Sequence, residues 1–118
     1  MARALLSVQS VLPGGMWPTL TPAVATGHMF PNSERGERGI FLLVRNDHTA
    51  PVTITIPSTF TRDGLVLANR TVSVPNATDR LIGPILAENH NQLAGADIGM
   101  TYIDYSLITA ISVAVLRV

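Results

Sequence analysis

The chain has 118 residues, the length of a single domain with one hydrophobic core, and its eight arginines balance eight acidic residues to give a formal net charge of zero. It contains no lysine and no cysteine. These counts exclude a basic surface that would attract nucleic acid or an anionic membrane, and they exclude disulfide bonds and thiolate chemistry. Apolar residues make up 47% of the chain and aromatic residues only 5%, so the core must consist mainly of aliphatic side chains, many of them β-branched, which favour strands.

The first 38 residues are rich in proline and glycine, which interrupt regular structure. They also contain large apolar side chains that a disordered tail tends to lack. We therefore predict an extended N-terminal arm over residues 1–38, which buries these side chains against its own domain or against a neighbouring subunit. The residues predicted to contact a partner are Met16, Trp17, Leu20, Met29, Phe30, Arg35 and Arg38.

Charges of alternating sign occupy residues 32–39, where Arg35 and Arg38 follow two glutamates. A solvated turn before the first strand explains this pattern, and a recognition loop is the alternative.

We expect no secretion signal, because Ser7, Gln9 and Ser10 interrupt the apolar part of the N-terminus. No apolar run approaches the roughly 20 residues that a membrane-spanning helix needs.

From residue 39 onward, short segments between turn residues predict strands at the spacing typical of a sandwich or barrel. The predicted strands are residues 39–46, 51–57, 64–68, 70–75, 79–85, 100–106 and 109–117. Residues 86–94 are predicted to form a long loop with at most one helical turn, because three poor helix formers lie in their middle. The expected fold is all-β: an antiparallel β-sandwich or jelly-roll-like barrel over residues 39–118, preceded by the arm.

The predicted strands follow two different patterns. Residues 52–56 alternate strictly between apolar residues and threonine, which predicts one buried face and one exposed face. Residues 40–44 and 111–118 are apolar on both faces, with few exceptions. We expect both faces of these strands to be covered, the second face by the arm or by another subunit, so self-association follows as a structural expectation.

The sequence offers little catalytic chemistry. Its histidines, His28, His48 and His90, lie in separate predicted loops without the spacing of metal ligands. Asp104 lies on a predicted strand, where pairing with an arginine is the common arrangement; Arg45, Arg80 and Arg117 are the candidates. We therefore predict no catalytic residue, no cofactor and no metal site, and we expect that the protein is not an enzyme.

Five segments in this order resemble the small β-rich decoration, or cement, proteins that tailed bacteriophages encode beside their major capsid protein. The segments are Asp63-Gly64-Leu65-Val66, Thr71-Val72-Ser73-Val74-Pro75, Arg80-Leu81-Ile82-Gly83-Pro84, Tyr105-Ser106 and Val113-Ala114-Val115-Leu116-Arg117-Val118. The similarity covers residues 27–118. It implies a virion protein made in the host cytoplasm that binds the major capsid protein on the outer surface of the head. It also implies self-association, most often as a homotrimer.

Two other functions remain open. One is a head-completion or tail-tube subunit, which would assemble as a ring. The other is a receptor-binding or carbohydrate-binding β-sandwich of a phage fibre, although sugar-binding faces usually need exposed aromatic side chains and this chain has few.

Overall fold

The computed structural model describes residues 3–32 and 39–117, apart from the side chain of Glu88. These residues form twelve strands and one helical turn. In chain order they are β1 (Ala4–Leu5), β2 (Val8–Ser10), β3 (Thr21–Pro22), β4 (His28–Pro31), β5 (Ile40–Asn46), β6 (Val52–Ile56), β7 (Thr61–Arg62), β8 (Leu65–Val66), β9 (Arg70–Val74), β10 (Thr78–Ile82), α1 (Ala87–His90), β11 (Met100–Tyr105) and β12 (Ile111–Arg117).

The all-β prediction is confirmed, and six of the seven predicted strands form at nearly their predicted positions. The strand predicted at residues 64–68 is reduced to the two residues of β8. Strand β10 ends at Ile82, three residues before its predicted end, because Gly83 has a positive φ of 153° and Pro84 has no N–H to donate. The predicted loop at residues 86–94 contains the single helical turn α1.

Two sheets of different composition bury a common core. The first has the strand order β1-β4-β11-β6-β9, and the second has the order β10-β5-β12-β2, with β3 also paired to β12. Side chains of both sheets form one cluster, for example Ile54 and Ile103 from the first and Leu42 and Val113 from the second. Strands β7 and β8 pair only with each other, as a separate hairpin.

The strands of the N-terminal segment belong to both sheets of its own chain. Strand β4 pairs with β11, and β1 runs parallel to β4. Strands β2 and β3 both pair with β12. The predicted division into an arm (1–38) and a domain (39–118) falls next to residues 33–38, which lie outside the described residues. Of the strands before this gap, β2, β3 and β4 form backbone hydrogen bonds with strands after it in both sheets.

The two strand patterns seen in the sequence correspond to different exposures. In β6, Val52, Ile54 and Ile56 are buried while Thr53 is exposed, as the alternation predicts. In β5, residues 40, 42, 44 and 46 are buried and the intervening residues are half-buried rather than fully covered. Ala114 of β12 is buried on the same outer face. Part of the cover for this face comes from the chain's own N-terminal segment, whose Trp17 ring lies over Arg45.

One buried polar side chain organises the connection between β5 and β6. Asn46 is completely buried, and its Nδ2 donates to the carbonyl oxygens of Ala50 and Val74, each at 3.0 Å. Its Oδ1 accepts from the N–H of His48 at 2.8 Å. Because Val74 ends β9 in the other sheet, Asn46 joins the two sheets while its own buried polar atoms stay satisfied.

Candidate interaction surfaces

Trp17 is held in a defined position on the outside of the second sheet. Its side chain is 69% exposed, and the Arg45 guanidinium carbon lies 5.6 Å from its ring centroid, within the range of a cation–π contact. Asp79 holds Arg45 from the neighbouring strand, with two hydrogen bonds of 3.2 and 3.3 Å. The hydrogen bond to this carboxylate raises the pKa of Arg45. The indole is therefore exposed to solvent beside the Arg45–Asp79 ion pair.

The segment that carries Trp17 is tied to β2 by a pair of hydrogen bonds. Gln9 Nε2 donates to the Thr19 carbonyl oxygen, and the Thr19 N–H donates to Gln9 Oε1, both at 2.9 Å. Met16 and Leu20, the neighbouring residues predicted to contact a partner, are half-buried. Val11 and Leu12, earlier in the same loop, are exposed. We call residues 11–20 the Trp17 loop.

The other predicted contact residues lie elsewhere. Met29 is half-buried on the outer face of the first sheet, opposite Tyr102 in register. Phe30 is completely buried in the core, so a direct partner contact by Phe30 is not compatible with this fold. Arg35 and Arg38 lie outside the described residues. The predicted set therefore does not form one surface: the Trp17 loop and Met29 lie on opposite sheets.

The hairpin of β7 and β8 projects an apolar edge that is not among the predicted contact residues. Asp63 and Gly64 connect its strands with φ values of 52° and 79°, the left-handed conformation of a tight hairpin turn. Leu65 and Val66 are 75% and 68% exposed, and Leu67 next to them is 43% exposed. In the sequence, this exposed edge is indicated by the apolar run Leu65-Val66-Leu67, which follows the Asp-Gly turn and does not alternate with polar residues.

An open cleft of about 350 Å³ separates the edge strands β9 and β10 beside α1. Its lining is mostly aliphatic, and its polar groups are those of Arg70, Asn89 and His90. His90 is almost fully buried, and its Nδ1 lies 3.1 Å from the Pro57 carbonyl oxygen. Since a carbonyl oxygen only accepts, this nitrogen carries the proton and Nε2 is left for another contact.

The histidine predictions need two corrections. His28 lies on β4 rather than in a loop, buried in the core, with Nδ1 at 2.6 Å from the Tyr105 hydroxyl oxygen. Burial lowers the pKa of His28 and raises that of Tyr105. His90 lies on the helical turn α1 and is also buried. His48 is in the predicted loop, where its Nδ1 accepts from the Ala50 N–H at 3.0 Å. Local sequence gave no signal for the burial of His28, because its neighbours are distant in the chain.

Asp104 pairs with an arginine, as expected, but with Arg3 rather than with the three candidates named from the sequence. Arg3 Nη1 lies 2.5 Å from Asp104 Oδ1 and also donates to the Ile103 carbonyl oxygen at 3.1 Å. The same guanidinium lies 4.1 Å from the centroid of the Tyr102 ring. A hydrogen bond to Asp97 raises the pKa of Tyr102. The pairing links the residue before β1 to β11 of the first sheet.

Within residues 3–32 and 39–117, no group of three or more His, Asp or Glu side chains is arranged to hold a metal ion. None of the helical residues in this part of the chain forms a helix long and apolar enough to span a membrane. Comparisons with protein-family models, with curated proteins and with solved structures give no match for the chain.

Proposed function

We propose that the protein is a structural virion protein, a decoration protein that binds the outside of a tailed-phage head and stabilises contacts between major capsid subunits. The exposed Trp17 is the observation that carries this proposal. Tryptophan is over-represented among the residues that dominate binding energy at protein interfaces. Here it is displayed on a loop tied to the sheet by two hydrogen bonds, which reduces the conformational entropy lost on binding.

The ordered series of segments over residues 27–118 that resembles cement proteins also supports the proposal. A near-neutral surface without lysine suits a protein-binding role more than attachment to nucleic acid. In this role the protein self-associates, as a homotrimer, and each copy contacts the major capsid protein. Many modest contacts repeated over a shell resist internal pressure through multivalency.

The test is to mix the purified protein with phage heads that contain the major capsid protein of the same phage but lack this chain. The mixture is then imaged by electron microscopy. Density at every local three-fold position is the expected result. Density only at the portal vertex would indicate a head-completion or tail component instead, and absence of binding would overturn the proposal.

A pair of variants tests the role of Trp17. Trp17→Ala should weaken binding to the heads by at least about tenfold, because a central interface tryptophan usually contributes that much or more. Leu93→Ala is the matched control, since Leu93 is equally exposed, at 70%, on a different loop. Equal binding by the two variants would show that the Trp17 loop is not the contact surface.

A further inference from the structure

We propose that the β7–β8 hairpin of one molecule docks in the cleft between β9, β10 and α1 of a second copy of this chain. The inference rests on the self-association that is part of the proposed function, and it assigns that association to two specific surfaces. One is the hairpin edge formed by Leu65, Val66 and Leu67. The other is the aliphatic cleft of about 350 Å³.

The hairpin is not buried against any other described part of its own chain. Each of its strands has two residues, and every residue from 61 to 70 is exposed. A two-stranded hairpin by itself is at best marginally stable in water, and an additional packed surface is what stabilises it. Three consecutive large apolar side chains exposed on such an element are typical of a contact site.

The cleft offers aliphatic side chains together with a few polar groups. Its lining includes Ile56, Val72, Leu81, Ile82, Ile85 and Leu86, and no residue of the hairpin turn or its strands belongs to it. The cleft is open, so water reaches it in the isolated chain. Replacement of this water by the Leu65–Leu67 edge of another copy would remove apolar side chains of both surfaces from solvent together.

The charges of the two surfaces are also complementary. Asp63 lies at the tip of the hairpin, and Arg70 is one of the residues that line the cleft. Among the described residues, neither side chain has an ion pair or a side-chain hydrogen bond, so each is available to the other across an interface. His90 also lines the cleft, and its Nε2 can make a further hydrogen bond to a backbone group of the incoming hairpin.

Every copy carries both surfaces, so the contact can repeat around a symmetry axis. A hairpin that enters the cleft of the next molecule makes a head-to-tail interface, which closes into a ring when the rotation between copies matches. Three such contacts would build the homotrimer of the proposed function. The number of contacts equals the number of subunits, and no hairpin remains exposed.

Sedimentation equilibrium of the full chain tests the inference. The wild-type protein should be oligomeric, and Leu65→Asp should raise its dissociation constant by at least about tenfold, the effect typical of a central contact residue. The control is Leu93→Asp, which introduces the same charge at a similarly exposed leucine and should leave the dissociation constant unchanged. Circular dichroism verifies that both variants are folded.

A double-mutant cycle tests which surfaces meet. Asp63→Asn retains a residue that tolerates positive φ, and Arg70→Gln retains much of the side-chain length. Each should weaken association, and the double variant should lose less than the product of the two single effects because both changes remove the same ion pair. Strict additivity would exclude the Asp63–Arg70 pairing and overturn the assignment of hairpin to cleft.

A monomeric wild-type chain, or equal effects of Leu65→Asp and Leu93→Asp, would also overturn the inference. These outcomes are distinguishable from a failure of the proposed function. A chain that associates through the hairpin but does not bind heads overturns only the decoration role. A chain that binds heads as a monomer leaves the decoration role intact and overturns the self-association together with the docking described here.

Discussion

Replacing the buried Asn46 by alanine should destabilise the fold more than any exposed polar substitution. The side chain makes three hydrogen bonds, to the Ala50 and Val74 carbonyl oxygens and from the His48 N–H. A net contribution of about 1 kcal/mol for each bond gives a loss of about 3 kcal/mol. Domains of this size typically have free energies of unfolding of about 5–15 kcal/mol, so the loss is a large fraction of the total.

Urea denaturation followed by far-ultraviolet circular dichroism at fixed protein concentration measures this loss, and thermal melting should show a decrease of roughly 10 °C in Tm. Asn69→Ala is the matched control, because Asn69 makes a single exposed hydrogen bond to the Ser58 N–H. We expect that control to lose less than about 1 kcal/mol. If Asn46→Ala costs no more than Asn69→Ala, the reasoning that Asn46 joins the two sheets is refuted.

Three other predictions concern the core and the N-terminal segment. Gly27→Ala should cost about 2 kcal/mol or more, because Gly27 has a φ of 79° and an added Cβ would lie 2.7 Å from the Ile103 carbonyl oxygen. The folded protein should lose stability as the pH falls below about 6.5, since burial lowers the pKa of His28 and the unfolded chain then takes up a proton that the folded chain binds less readily. A chain lacking residues 1–31 should fail to fold, because it loses β1 to β4 and with them the partners of both sheets.

Each of these predictions has a control or a contradicting result. Gly14→Ala should change the free energy of unfolding by less than about 0.5 kcal/mol, because nothing lies within 4 Å of the added Cβ and its φ is not positive. His28→Phe should reduce the slope of stability against pH below about 6.5, and an unchanged slope would contradict the assignment. Cooperative unfolding of the truncated chain would show that the N-terminal strands are dispensable.

Much of the β structure from residue 39 onward was predictable because its signals are local. The alternation in residues 52–56 requires one buried face, and the Asp63-Gly64 pair specifies a tight turn. The candidate surfaces were only partly predictable. Trp17 was identified by its residue type, whereas the hairpin edge was read as an ordinary strand, because nothing in a local pattern says whether another strand will pair with it.

The sequence by itself determined the all-β class and most of the strand positions. Only the tertiary structure decided the pairing of β1 to β4, the ion pair of Arg3 with Asp104 and the burial of His28 against Tyr105. The Arg3–Asp104 and His28–Tyr105 contacts join residues that are 101 and 77 positions apart in the chain, and β1 pairs with β4 across 24 positions. The N-terminal strands are two to four residues long, too short for periodicity to identify them. Their positions depend on the backbone groups that β11 and β12 leave available, which is a property of the assembled sheets.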